Sequence, residues 1–374
     1  MKTTSWPLPE ASASRAFGPS TGGSGRAALG GDASWLADVG RRHVRVALTV
    51  TLLIVAATRI GRLPAGYELA VLATAVGILG LPHGALDYLS GRALLARRFG
   101  RAWPLPFAAG YLGLAGLALL GWKFVPLLAL VSFLAVAAVH FGLEDTDSEL
   151  ALGAGTRFAP VGLTTEAVAR GALLVASVAL FHPDEAAALF GYLIPSRAIE
   201  VTAGVDVLRV PLAVVVFSAV GAVLLHHAVS FARGRGAHGL VAAEIACLAA
   251  LFAFTPPLIA FVVYFCAWHS VRHTLEVASR LDPLKPRVAL ETFARRAWPL
   301  TAVTIALGTI AFIALTPMQA PGEAMIRVVF VGLSALTVPH ILFSWAAERA
   351  SSAARVKRRA RAEISASSAA RAAA

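Results

Sequence analysis

The chain has 374 residues, of which 57% are apolar and 14% charged, with 33 Lys and Arg against 21 Asp and Glu for a formal net charge of +12. A soluble domain carries about 25% charged residues, so the polar surface of a water-soluble globule is missing and lipid has to be the solvent. The positive balance does not point to nucleic acid, because the cations lie in loops and tails beside apolar stretches, where membrane topology accounts for them.

Residues 1–40 are dominated by Ser, Gly, Ala and Pro, hold no apolar run long enough for a secretory signal, and are expected to form a disordered cytoplasmic tail. Beyond them the apolar residues come in long runs rather than short alternating stretches. About 20 such residues cross a hydrocarbon core roughly 30 Å thick as a helix, which favours helices over a barrel. Ten spans are predicted, at 43–59, 67–90, 104–122, 124–142, 166–182, 207–231, 239–254, 257–279, 297–316 and 324–347. The expected fold is all-α, a polytopic integral membrane bundle of about ten transmembrane helices, with a catalytic domain over 41–348 and a basic, Ala/Ser-rich tail over 349–374.

The loops test this count. Arg41, Arg42 and Arg45 precede the first span, and Arg92, Arg97, Arg98 and Arg101 separate the second from the third. Arg233 and Arg235 follow the sixth, and Arg280, Lys285, Arg287, Arg295 and Arg296 follow the eighth. With ten spans all of these share one side with the basic tail, and the opposite loops carry few cations, such as Lys123 and Arg197. The positive-inside rule then places both termini in the cytoplasm, in a multi-pass protein of the cell inner membrane. Two stretches are atypical: 143–165, acidic at Glu144, Asp145, Asp147 and Glu149, is expected as a loop, and 183–206 as a re-entrant or interfacial piece. Gly77, Gly80, Gly84 and Gly91, with Gly110, Gly113 and Gly116, are expected at close helix contacts. Cys247 and Cys266 supply neither a disulfide framework nor a metal-binding pair.

Ten histidines are present, and several stand where a polar group is costly: His83, His140, His269, His273 and His340. Any one of them has a bland explanation in a hydrogen bond to a neighbouring helix. Together they all lie on even-numbered spans, in the cytoplasmic half of each, and so at similar depth. His269 and His273 are four apart, so both project from one helical face and can chelate one ion. Imidazole suits Fe, Zn, Cu or Ni, and no thiolate is among the candidates. Four histidines on a six-coordinate ion would leave two positions open. His226 and His227 are weaker candidates, and His43, His182 and His238 fall at span ends or loops.

Pro82-His83-Gly84-Ala85-Leu86-Asp87, His140-Phe141-Gly142, Trp268-His269-Ser270-Val271-Arg272-His273 and Thr337-Val338-Pro339-His340 resemble motifs of the bacteriorhodopsin-related (Brp/Blh) family of membrane β-carotene 15,15'-dioxygenases. The likeness runs from about residue 67 to 347. It implies an iron-dependent enzyme that cleaves β-carotene with O2 at its central double bond into two all-trans-retinal, the non-haem Fe(2+) being held by His83, His140, His269 and His273, with His340 near the site. The partners implied are β-carotene, O2 and membrane lipid, no nucleic acid, and a retinal-binding rhodopsin as a functional link. Phe141, Tyr264, Phe265 and Trp268 flank the ligands and are candidates to line a polyene tunnel.

Spacing, independently of the resemblance, suggests how the imidazoles are oriented. A ligand histidine usually donates its second N–H to a carboxylate or carbonyl. Asp87 stands four residues after His83, Glu144 four after His140 and Glu276 three after His273, each about one turn away. Three other readings remain open at this level: a haem electron-transfer protein with paired axial histidines, a di-iron membrane hydroxylase or desaturase of lipids or carotenoids, and a transporter or receptor with buried histidines as proton relays.

Overall fold

At membrane depth no water is available, so each backbone N–H and C=O has to be satisfied within its own segment and the apolar runs fold as helices. The computed structural model describes residues 34–151 and 165–373, and these are all-α, without strands. The helices are α1 (Ser34–Ile60), α2 (Ala65–Ala102, interrupted), α3 (Pro104–Phe124), α4 (Pro126–Ala151), α5 (Thr165–Phe181), α6 (Pro183–Leu193), α7 (Ala198–Ala232), α8 (Ala237–Phe254), α9 (Pro257–Leu281), α10 (Pro286–Leu315) and α11 (Pro321–Ala373). Among the described residues nine are long and apolar enough to cross a membrane, and α5 with α6 makes a tenth if that bent pair is one span.

The helix boundaries depart from expectation in several places. The first helix already begins at Ser34, and residues 1–33 of the expected tail lie outside the described residues. α4 continues to Ala151, so Glu144 and Asp145 are helical rather than in a loop, while 152–164 lie outside the described residues. α5 and α6 meet at 106°, because Pro183 disfavours helical backbone at His182, which sits at φ −134°, ψ 56°. α6 and the turn Pro195–Arg197 then lead into α7, which starts at Ala198, ahead of the expected 207. At the far end α11 runs on as helix to Ala373.

α9 is the axis of the bundle: 72% of its apolar stretch is buried, against none in α3 and 6% in α10. The outer helices turn large side chains such as Leu112, Leu117, Leu307 and Ile310 outward, as a lipid-facing surface requires. α4 packs most closely against α5, and the contact depends on two glycines. A Cβ at Gly142 would strike the carbonyl of Ala167, and one at Gly171 the carbonyl of Ala138. Gly80 and Gly91 are also closely packed, against Phe265 and Phe107, whereas Gly113 and Gly116, expected at contacts, face open space.

Candidate metal centre

Two helices reach the histidines through π turns, which are frequent at functional sites because the extra residue re-aims the side chains beyond it. In α2 the π turn Val76–Gly80 comes just before Pro82, whose missing N–H leaves the carbonyl of Ile78 without its helical donor. In α9 the π segment Val263–His269 ends on a candidate ligand. No proline or glycine lies in that segment, but α1 supplies an outside donor: His43 Nε2 donates to the Ala267 carbonyl at 2.6 Å.

α2, α4, α9 and α11 bring five imidazoles to one place. The His83 ring centroid lies 5.5 Å from those of His269, His273 and His340, and His140 lies 5.5 Å from His269 and 5.4 Å from His340. His273 and His340 are 5.5 Å apart. The Glu144 carboxylate stands among them, 3.7 Å from His140 Nδ1, 3.5 Å from His269 Nε2 and 3.7 Å from His273 Nδ1. Among the described residues His140, Glu144 and His340 form a donor set whose ligand atoms all lie within 4.8 Å of one another.

The outer nitrogens are oriented by acceptors, which settles which nitrogen keeps a lone pair. His83 Nδ1 donates to the Gly80 carbonyl, with Ser270 Oγ 3.4 Å away. His340 Nδ1 donates to Asp87 Oδ1 at 2.7 Å, and His269 Nδ1 faces Asp145 Oδ1 at 3.4 Å. Since a carbonyl or carboxylate oxygen accepts, each of these rings carries its proton on Nδ1 and leaves Nε2 for a ligand. Nε2 of His269, Nε2 of His340 and Nδ1 of His140 are buried without a hydrogen-bond partner. An orphaned buried polar group costs about 1–3 kcal/mol, so three in one cluster are hard to sustain unless something binds there. Imidazole nitrogens with one carboxylate suit a first-row transition metal, and the donors present fit one.

The carboxylates are placed differently from what spacing suggests. Asp87 serves His340 rather than His83, because α2 is broken between Gly84 and Asp87 and the one-turn relation of a continuous helix does not hold there. Asp87 also accepts from Tyr111 at 2.9 Å. Glu144 does face His140, but it faces His269 and His273 as well. Glu276 lies 3.9 Å from Arg280.

Of the aromatic candidates, Phe141 packs on His269 at 4.4 Å and lines an apolar cleft beside the cluster. Tyr264, Phe265 and Trp268 do not line this cleft. Tyr264 donates to Asp145 Oδ2 at 2.7 Å, and Phe265 packs edge-on against His83. Trp268 turns to α1, where its indole donates to Thr51 Oγ1 at 3.0 Å, and Arg272 lies over its ring.

The other histidines lie apart. His227 Nδ1 meets His238 Nδ1 at 2.9 Å and its Nε2 is 3.4 Å from Glu166, with His226 alongside; His182 Nε2 donates to the Phe252 carbonyl at 3.0 Å. Sequence reasoning missed Asp145, which falls just past the expected end of its span, and Tyr111. It also missed a buried ionic ladder, in which Glu244 accepts from Arg170 at 2.7 Å and from Arg272 at 2.5 Å. The signal was available: Arg170 and Glu244 are charged residues inside apolar spans, where the same insertion cost that singles out the histidines applies.

These features define a polytopic helical protein with an internal His/Glu cluster able to hold a metal, set against an apolar cleft. The chain belongs to the beta-carotene 15,15'-dioxygenase family, whose sequence model matches residues 74–345 and so takes in all five clustered histidines. It is similar to the beta-carotene 15,15'-dioxygenase of the uncultured marine bacterium 66A03, 28% identical over 272 residues that cover 71% of this chain and 89% of the relative. It is also similar to the probable beta-carotene 15,15'-dioxygenase Blh of Halobacterium salinarum, 29% identical over 313 residues that cover 76% of this chain and 86% of the relative. No solved structure matches the chain.

Proposed function

We infer that this protein cleaves β-carotene with O2 at the central 15,15' double bond, giving two molecules of all-trans-retinal. The observation that carries the reading is the convergence of His83, His140, His269, His273 and His340, from four helices, in a chain that belongs to this family. His83, His140, His269 and His273 would hold Fe(2+), and the Nε2 of His340 and the Glu144 carboxylate stand beside them. The bound metal would supply the redox chemistry that O2 needs to react with a closed-shell hydrocarbon.

The chain's own residues do the rest. Gly80, Asp87 and Asp145 hold the imidazoles in one tautomer, and the apolar side chains around the cluster exclude water from a substrate that has no polar group to anchor. β-Carotene partitions into the bilayer core, so a site at membrane depth collects it laterally. The cation-rich loops favour an inner-membrane protein with both termini cytoplasmic. Its product suits a retinal-binding rhodopsin as consumer.

Expression in a β-carotene-producing bacterial strain, followed by pigment extraction, tests the reading. Bleaching with accumulation of retinal is expected. Cells that stay orange, or that accumulate apocarotenals of unequal length, would refute it.

A further inference from the structure

The apolar cleft beside the cluster lies between α4, α5, α6, α8, α9 and α11. Every side chain lining it is aliphatic or aromatic, and six are phenylalanines, so its walls offer flat faces and no hydrogen-bonding group. Along α4 the lining residues Leu130, Leu134, Ala137 and Phe141 recur at helical spacing and form one face. From Leu130 to Phe141 an unbroken helix rises about 16 Å. At one end of that face the Phe141 ring lies 4.4 Å from the His269 ring; at the other, Leu130 packs in one buried cluster with Leu193 and Ile326. Ala137, one turn before Phe141, is the smallest side chain on this wall.

We propose that the cleft receives one arm of a linear conjugated hydrocarbon, and that its depth from Phe141 to the Leu130–Leu193–Ile326 wall sets which bond of the chain lies beside the histidines. The proposal rests on the function inferred above. A flat, rigid polyene suits phenylalanine walls better than a flexible acyl chain, whose ordering in a narrow cleft costs rotamer entropy. A wall at a set distance from the cluster stops the arm at one depth, so the cleaved bond is chosen by length and not by any polar contact.

The test begins with purified protein stripped of metal by a chelator, in detergent micelles, titrated with β-carotene and followed by visible absorption. Wild type binds. The series Ala137→Val, Ala137→Leu and Ala137→Phe weakens binding progressively, by about tenfold or more at Phe through overpacking, with metal uptake on reloading unchanged. If Ala137→Phe fails to fold, the two smaller replacements carry the comparison. Leu130→Trp shortens the cleft, and the reloaded protein then releases aldehydes of unequal length. Undiminished binding across the Ala137 series, saturation of the wild-type cleft by phospholipid acyl chains instead of β-carotene, or equal halves alone from Leu130→Trp would overturn the proposal. Each of these outcomes leaves central cleavage by the wild type standing, whereas a wild type that cleaves no carotenoid in cells sinks the function itself.

Discussion

Asp87 joins three helices through one carboxylate, accepting from Tyr111 on α3 and from His340 on α11 while itself on α2. Its replacement therefore reports on His340, not on His83. Asp87→Asn keeps the shape but loses the charge that holds the His340 proton on Nδ1, and metal affinity should fall by about 10–100-fold, read by competition with a chelator. Unchanged affinity would leave Asp87 a packing residue. His43 is a second residue whose role only contacts reveal. At the end of its predicted span it looks dispensable, yet it supplies the donor to Ala267 in the π segment that ends at His269. His43→Ala should lower stability by about 1–3 kcal/mol, the cost of a buried carbonyl left without its donor, and a melt equal to wild type would show that the carbonyl finds another.

At the scale of elements, the π segment of α9 is the device that aims His269 and His273. A π turn holds one residue more than an α turn. Deleting Cys266, which is buried within Val263–His269, should restore plain α-helix and remove the widened turn that sets the direction of the two imidazoles. The expected result is loss of metal from a protein that still folds, with Cys266→Ala as the control that retains it. Equal metal content in the deletion would mean that the π turn is incidental. The α4–α5 contact has its own test at Gly171. A methyl there meets the Ala138 carbonyl, backbone that cannot rotate away, so Gly171→Ala should push α4 and its His140 and Phe141 outward. A loss of about 1–3 kcal/mol in thermal unfolding is expected, whereas Gly113→Ala, in open space on α3, should cost nothing measurable.

At the scale of the whole molecule, the hydrocarbon exterior contributes little to holding the helices together, since lipid is as apolar as leucine. Specific ties matter more. Glu244 on α8 joins Arg170 on α5 to Arg272 on α9, with all three buried. Arg272 lies between the two histidines of α9 in the chain, so the ladder anchors the axial helix to the bundle beside the histidine cluster. Removing the shared carboxylate leaves two buried guanidinium groups without it. Glu244→Ala should therefore cost about 3–5 kcal/mol, and a melting temperature close to wild type would show that the arginines find other anions.

Span number and the common depth of the histidines were legible in the chain, because hydropathy and insertion cost are properties of a segment taken alone. His83, His140, His269, His273 and His340 stand out for that reason, and the structure brings all five together. Pairings that assume continuous helical spacing were less secure. The relation of His83 to Asp87 needs an unbroken helix, and Pro82 with the turn after Gly84 breaks it. Asp145 was hidden by a helix that outlasts its apolar run, and Trp268 was drawn to α1 by a hydroxyl more than 200 residues away in the chain. The apolar cleft had no signature at all, since the side chains that line it are the same types that face lipid elsewhere. Tertiary structure alone decided which carboxylate serves which imidazole and where apolar surface becomes a cavity, because both depend on contacts between helices that no single segment contains.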